Sequence, residues 1–372
     1  MKNIVFNGKF LTASPTGVHR VAEELIIALD GLLDRNAAGA MPMSVIAPQG
    51  AMRALDLSHI GVRHQGALSG KLKNIPWEQV NLPLLTRDTL LLNLCNLGPV
   101  WHRNLITMIH DAQVYLTPDS YSAGFRAWYR LMLPMLGKRS SRILTVSEYS
   151  KTQLVKYGVA SADKIVVIHN GCDQVLRVVP DQDFVARSGL TKGRFVLALA
   201  NTQAHKNIQV LLKAFAAPEL QDMTLVLFGA ATRSDFERRG LKVPDNVQFV
   251  GRISDEQLSG LMREACALAC PSLTEGFGLP PLEAMRLGCP AIIAPCGALP
   301  EVCGDAALQA DAHDARQWVN HIRHLADDPE FSALVSQRSI AQATPFTWEA
   351  AARRLLAVIN EQTEPAVLAK AA

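Results

Sequence analysis

Short apolar runs alternate with stretches of helical apolar spacing along the chain, and this alternation predicts an α/β protein built on parallel sheets. In the first half, Asn3–Asn7, Met43–Ala47, Thr89–Asn93, Leu105–Ile109, Ile143–Val146 and Val166–Ile168 read as strands. In the second half, Phe195–Ala200, Thr224–Phe228, Val247–Val250, Ala265–Pro271 and Ala291–Ala294 do the same. Continuous apolar runs of this kind suit strands covered by helices on both faces. Gly17–Leu29 has helical spacing, with Ser14 or Thr16 as its cap. Gly124–Arg142 reads as a helical stretch divided by Pro134, Ser147 as the cap of a following helix, Ile208–Phe215 as a helix, and Thr347 as the cap of a last helix, Trp348–Ile359. Residues 49–80 are loop-rich and predict no element, and Arg177–Gly193 reads as a linker. The two sets of strands therefore predict two Rossmann-like domains facing a central cleft, 1–178 and 193–346, followed by a C-terminal helix at 347–362.

The length of 372 residues, too long for one ordinary core, agrees with that division. Hydrophobic residues at 49% and charged residues at 19% fit a globular enzyme. No run reaches the ~18 apolar residues that a membrane span needs. Met1–Gly8 has too short an apolar core for a signal peptide, so a cytoplasmic location is expected. The seven cysteines include no CxxC pair; Cys266 and Cys270 are spaced C-x3-C inside an apolar segment and read as buried thiols rather than as a zinc site. Residues 1–190 carry 20 Lys/Arg and 14 Asp/Glu, residues 191–372 carry 17 and 20. An imbalance this mild suggests one face that meets an anionic partner and does not argue for nucleic acid. Within 124–142, Arg126, Arg130, Lys138, Arg139 and Arg142 accompany Trp128 and Tyr129 with no acidic residue. Such a surface suits peripheral contact with an anionic membrane; the alternative is a solvated helix whose aromatics pack inward.

The densest chemistry lies in Ser272–Met285, S-L-T-E-G-F-G-L-P-P-L-E-A-M. Gly276 and Gly278 leave the backbone open to close approach by a ligand. Pro280 favours an extended Leu279, and Pro281 suits the first position of a helix running to Leu287 with Gly288 beyond it. The N–H groups of Gly276, Phe277, Gly278 and Leu279 then share one space with a positive helix end, an arrangement that holds phosphates. Glu275 in the loop and Glu283 in the first helical turn flank that space and can accept hydrogen bonds from sugar hydroxyls. The set fits a sugar diphosphate.

Glu275 and Glu283 are eight residues apart, and P-S-L-T-E-G-F-G-L-P-P-L-E-A-M followed by G-C-P resembles the donor-site signature of the retaining family 4 glycosyltransferases. The resemblance runs from Gly17 to Trp348 and is strongest in 247–307. It implies the GT-B fold, an N-terminal acceptor-binding domain, a C-terminal nucleotide-sugar-binding domain and a last helix that crosses back to the first domain. Gly17 matches the glycine of the family's first loop, although Thr16 stands where a second glycine is usual. His110, with Asp111 just past a strand, matches a histidine that faces the donor sugar and the acceptor. Lys206 in N-T-Q-A-H-K-N matches the lysine that grips the diphosphate; the upstream arginine is absent, with Asn201 or Thr202 near its place. G-R-I-S-D-E-Q-L from Gly251 resembles the motif whose backbone contacts the nucleotide base, so Gly251 and Arg252 are expected there. L-P-E-V-C-G-D-A-A from Leu299 resembles a structural motif of the family.

Roles follow from that resemblance. Lys206 and the amides of Gly276–Leu279 would stabilise the departing diphosphate, Glu283 the ribose hydroxyls, Glu275 the sugar ring, and His110 the sugar from the other wall. Neither a metal nor a cofactor is expected, since Lys206 and the helix end supply the positive charge. The H-D-A-Q, V-S-E-Y-S and L-P-P-L-E-A-M wording is most similar to bacterial O-antigen or exopolysaccharide mannosyltransferases. That similarity implies GDP-mannose as donor and an oligosaccharide or polyprenyl-linked acceptor. The alternatives are a UDP-hexose donor, a non-catalytic nucleotide-sugar-binding scaffold, and a phosphorylase, for which no pyridoxal phosphate lysine context is found.

Overall fold

Two parallel sheets organise the chain, which is described here from a computed structural model covering residues 3–13, 15–33, 41–51, 53–65 and 74–363. The first sheet holds β1 (Ile4–Asn7), β2 (Met43–Ala47), β3 (Gly61–His64), β4 (Leu90–Asn93), β5 (Leu105–Met108), β6 (Arg142–Thr145) and β7 (Ile165–Val167) in the order β3-β2-β1-β4-β5-β6-β7. The second holds β8 (Phe195–Leu199), β9 (Thr224–Phe228), β10 (Val247–Gly251), β11 (Ala267–Cys270), β12 (Ala291–Ile293) and β13 (Leu308–Gln309) in the order β10-β9-β8-β11-β12-β13. Every pairing is parallel, with Ile4 opposite Met43 and Leu90 in one sheet and Ala267 opposite Val196 in the other. All four residues of β1, β4, β5 and β11 are buried, as strands covered on both faces must be.

The covering helices are α1 (Gly17–Leu32), α2 (Ala123–Arg139), α3 (Glu148–Lys156), α4 (Ile208–Phe215), α5 (Asp255–Glu264), α6 (Leu279–Arg286), α7 (Ala315–Asp327), α8 (Pro329–Ala343) and α9 (Trp348–Thr363). Thr16 caps α1 by accepting from the His19 amide, and Ser147 caps α3 by accepting from the Ser150 amide. Ser14 lies outside the described residues. The chain divides into two units: residues up to Gly171 together with α9, and Cys172–Thr347. In the first unit α9 packs along α1 and buries Trp348, Leu355, Val358 and Ile359. In the second, α7 packs on α4 and α8 on α6, around a core that includes Phe215, Leu225, Ile292 and Trp318.

Four details differ from the sequence reading. Residues 49–80 include β3, which pairs in parallel with β2, and the start of a helical run from Asn74 to Leu85 whose Trp77 and Leu82 are buried. β3 shows no apolar signal because, as an edge strand, three of its four residues are exposed. Pro134 does not divide its helix: α2 continues through it, held by Met132, Leu133 and Leu136 in the core. Residues 177–193 are not a free linker, since Asp181 caps the helix Gln182–Arg187, which packs on α5, and the Asp181 amide donates to the Glu256 carbonyl at 3.0 Å. The division between units accordingly falls after Gly171 and not at 178, because the Cys172 amide already bonds the Phe346 carbonyl of the second unit.

Candidate active site

Each sheet has one place where neighbouring strands send their connections in opposite directions, β1 beside β4 in the first and β8 beside β11 in the second. Crevices at the carboxyl ends of such strands are where open α/β sheets bind ligands. In the second unit this crevice lies between the loop after β8 and the loop after β11. Asn201 folds the first of these by accepting the Gln203 amide at 2.8 Å and donating to its side chain at 3.2 Å. A short turn, Ala204–Lys206, follows and ends at Asn207, which is buried with φ +52°. Asn207 tolerates that conformation because its amide side chain donates to the carbonyls of Pro271 (3.1 Å) and Ala312 (2.7 Å), tying the two loops together. The Leu273 amide adds a bond to the His205 carbonyl at 2.7 Å.

The loops meet in an ion pair. Lys206 Nζ lies 2.7 Å from Glu275 Oε1, and the Ser272 hydroxyl donates to the same oxygen at 2.6 Å. Burial pushes the Glu275 carboxyl up, but Lys206 and Ser272 outweigh it and hold the group below its ordinary range, so it is ionised near pH 7. Burial and the Lys206 charge lower neighbouring His205 to about 4, leaving it neutral. A cavity of about 50 Å³ adjoins the pair, lined in part by Phe228, Cys270, Ser272 and Pro280. Cys266 and Cys270, like the other cysteines, are free; burial pushes both up to about 12, so they are inert thiols. Among the described residues no group of three or more His, Cys, Asp or Glu is placed to hold a metal ion.

The loop after β11 corrects the expected helix start. Leu279, not Pro281, is the first helical residue of α6, because Gly278 at φ +99° turns the chain one step earlier. Both prolines then occupy the first turn, where missing N–H groups cost little. The consequence is chemical: of the first three helical residues only Leu279 has an N–H to offer an anion. Phe277 is buried with its ring at 71° to that of Phe346, and Gly276 precedes it in the loop. Glu283 sits in the second turn's approach on α6, nearly buried, and its Oε1 accepts from Gln174 Nε2 at 2.5 Å. Gly251 ends β10 with φ +71°, and exposed Arg252 follows it; β10 is two strands from β8, so neither joins the Lys206–Glu275 pair.

Two predicted residues lie in the first unit. Gly17 opens α1, where an added Cβ would meet no atom within 4 Å, so packing inside the protein does not require glycine there. His110 follows β5, buried, with Nε2 2.8 Å from the Leu94 carbonyl and its amide donating to Asn96 Oδ1 at 2.8 Å. Burial lowers its ring to about 4, against a smaller opposing pull from the Leu94 carbonyl. The neutral ring thus donates from Nε2 and keeps Nδ1 as an acceptor.

Three residues that carry the second-unit site were not singled out in the sequence. Ser272 and Gln174 orient the two glutamates. Gly297, at φ +66°, lies so close to Glu275 that a Cβ would fall 2.4 Å from its amide nitrogen, and the Ala298 amide donates to the Glu275 carbonyl at 3.0 Å. A glycine after an apolar run signals only a turn; its partner 22 residues away is invisible without the fold.

Two parallel α/β units, the second with a Lys–Glu pair over its switch point, define a two-domain ligand-binding enzyme fold. The profile described as "Glycosyl transferases group 1" matches residues 181–342, and that described as "Glycosyltransferase Family 4" matches residues 86–175. The chain belongs to the family 4 glycosyltransferases. It is 28% identical over 263 residues to the O-antigen chain mannosyltransferase B of Escherichia coli, covering 66% of this chain and 67% of that protein. It is 31% identical over 235 residues to a D-inositol 3-phosphate glycosyltransferase of a Nocardioides species, covering 55% of this chain and 50% of that one. Among solved structures, the sucrose-phosphate synthase of Thermosynechococcus elongatus superposes with a TM-score of 0.75 at 18% identity, covering 97% of this chain and 99% of that one. The α/β fold of two Rossmann-like domains is the GT-B fold of these neighbours.

Proposed function

We propose that the protein transfers a mannosyl group from GDP-mannose, with retention, to an oligosaccharide or polyprenyl-linked acceptor of a bacterial surface polysaccharide. The observation that carries this reading is the Lys206–Glu275 pair at the β8/β11 switch point, within a chain similar to an O-antigen mannosyltransferase. In the reaction the bond from the sugar's C1 to the diphosphate oxygen breaks, and its electron pair leaves with the diphosphate. The acceptor hydroxyl bonds C1 on the same face and gives its proton to the departing phosphate oxygen. Lys206 stabilises the charge that builds there, with the Leu279 amide and the loop amides of Gly276–Gly278 beside it. Asn201 shapes the Lys206 loop, and Gly17 lets backbone approach the phosphates. Glu275, ionised and oriented by Ser272, holds hydroxyls of the transferred sugar. Glu283 takes the ribose, Gly251 and Arg252 the base, and neutral His110 accepts a sugar hydroxyl through Nδ1. This division of labour calls for no metal and no cofactor, because Lys206 and the start of α6 supply the positive charge.

The test is thermal unfolding with GDP, UDP and ADP, alone and as their sugars. A ligand at about 100 times its Kd adds about 2.7 kcal/mol of apparent stability. Stabilisation by GDP alone, with transfer lost in Lys206→Ala and Glu275→Ala while the fold persists, is expected. Stabilisation by UDP moves the donor to a UDP-hexose, and no shift with any nucleotide turns the reading toward a scaffold.

We also propose that the first unit rests on an anionic membrane, on a surface broader than 124–142. The segment Asn74–Leu85, Val100 and α2 share one packed cluster through Trp77, Leu82, Val100, Met132 and Leu136. Their outer positions leave Leu84 (73% exposed), Trp101 (68%) and Leu131 (57%) in water. Exposed Lys138 and Arg139 end α2, exposed Arg87 follows Leu85 by two residues with exposed Asp88 beside it, and exposed Arg103 follows Trp101 by two. Arg126 and Arg130 contribute less, since the first bonds the Pro118 carbonyl and the second lies over the Tyr115 ring. Exposed apolar side chains with cations close by in sequence suit the headgroup layer of an anionic bilayer.

A further inference from the structure

The two glutamates of the second unit are held by different chemistry. Glu275 meets a cation and a hydroxyl, whereas Glu283 meets an amide, its Oε1 accepting from Gln174 Nε2 at 2.5 Å. Gln174 lies 109 residues away in sequence, where the chain enters the unit. It is 3% exposed and Glu283 is 9% exposed. The short turn that carries Gln174, Asp173–Leu176, packs on α6, which carries Glu283. That turn is pinned at both ends. The Cys172 amide donates to the Phe346 carbonyl at 3.0 Å, and the buried Cys172 Sγ lies 3.5 Å from the Ala343 carbonyl oxygen. The Arg177 amide donates to the Gln174 carbonyl at 3.0 Å. Gln174 thus reaches Glu283 from a fixed backbone, one turn along α6 from the Leu279 amide assigned to the diphosphate.

Stability alone does not explain a Gln–Glu contact buried to this degree. Two apolar side chains of the same shape would fill the space without desolvating polar atoms, and such a replacement is close to neutral or stabilising. We infer that Gln174 is a positioning residue for the donor: by fixing the Glu283 carboxyl group, it makes the site select ribonucleotides over deoxyribonucleotides. The inference rests on the ribose role proposed for Glu283 and deepens it. A glutamate side chain turns about several bonds, and ordering it only when the ribose arrives would cost affinity. The bond from Gln174 orders it beforehand. A carboxylate has about four lone-pair sites, so one amide bond does not exhaust its capacity for the two neighbouring ribose hydroxyls. The amide is uncharged, so it holds the group without supplying a cation as Lys206 does for Glu275. A deoxyribose brings one hydroxyl fewer, and an acceptor already aimed at that hydroxyl is left unmatched.

The experiment is calorimetric titration of the full chain with GDP and 2′-deoxy-GDP, repeated with UDP and 2′-deoxy-UDP so that the outcome does not depend on the base. Wild type should bind a ribonucleotide at least tenfold more tightly than its deoxy counterpart. Gln174→Asn keeps the amide and shortens its reach by one carbon–carbon bond, and Gln174→Met keeps the length and removes the donor. In either variant the ratio should fall to roughly threefold or less, with thermal unfolding of the ligand-free chain confirming the fold. Adding Gln174→Asn to Glu283→Gln should change the ratio no further, because the first residue acts through the second. A glutamine of purely structural use would weaken both sugars' nucleotides equally and leave the ratio as in wild type; that result overturns the inference. A wild type that binds ribonucleotide and deoxyribonucleotide alike removes the ribose role of Glu283 and the inference with it. Failure of all four nucleotides to bind would instead sink the donor reading itself, and the three results are separable.

Discussion

A methyl group is all that separates glycine from alanine, and position 297 has no room for it. Gly297→Ala would place a carbon 2.4 Å from the Glu275 amide at a φ of +66°. The strain of that backbone region and the forced shift together should cost about 2 kcal/mol or more. Denaturant unfolding should register that loss, and transfer should fall further than stability explains, because Glu275 moves. His110 sets a pH dependence of a definite sign. Its folded value of about 4 lies below the ordinary 6.5, so the unfolded chain binds more protons between those values and stability falls as pH drops through that window. At about 1.4 kcal/mol per unit, this group alone contributes on the order of 3 kcal/mol by the bottom of the window. Comparing unfolding free energies of wild type and His110→Asn at pH 6.5 and 4.5 checks it: the variant should show the shallower decline. At this scale the sequence was legible where a residue type has one strong local use. Lys206 and Glu275 could be named from their loops, whereas their 2.7 Å contact joins residues 69 apart in sequence; Ser272, which donates to the same oxygen, is three residues from Glu275.

Elements were legible when an apolar run had a single local explanation. Ile208–Phe215 and Thr224–Phe228 coincide with their expected bounds because punctuation and burial agree there. They diverged where tertiary packing overrode a local rule. Pro134 lacks the N–H that a helix interior uses, yet Leu133 and Leu136 are buried on either side and hold α2 in one piece. An interior proline costs about 3 kcal/mol in a helix, offset by about 1 kcal/mol of lost freedom in the unfolded chain. Pro134→Ala should therefore raise the thermal midpoint, and an unchanged or lower midpoint would mean that the ring itself is needed in the core. The start of α6 was misplaced for the opposite reason: glycine at 278 permits a turn that the proline pair alone does not announce.

At the scale of the molecule, the two-domain α/β plan was readable from the alternation of strands and helices, but the ends of each domain were not. Composition also hinted at an anionic partner without locating it; under the proposed membrane contact, the exposed Leu84, Trp101 and Leu131 would meet the bilayer. Sedimentation with vesicles containing anionic lipid should pellet the protein at low salt and less so as salt rises. Trp101→Ala with Leu84→Ser should reduce pelleting while leaving nucleotide-induced stabilisation intact. Equal binding to neutral vesicles, or none to anionic ones, counts against the membrane contact.

The helix Trp348–Thr363 packs on α1, with the whole of Cys172–Thr347 intervening in sequence. During synthesis the ribosome therefore delivers one wall of the first unit only after the entire second unit has emerged. The domain that begins the chain is the last to be completed. A nascent first unit waits with α1 unsealed by its final helix. Loss of a few residues from α9 should thus be felt at the far end of the sequence, as a solubility defect of the amino-terminal half.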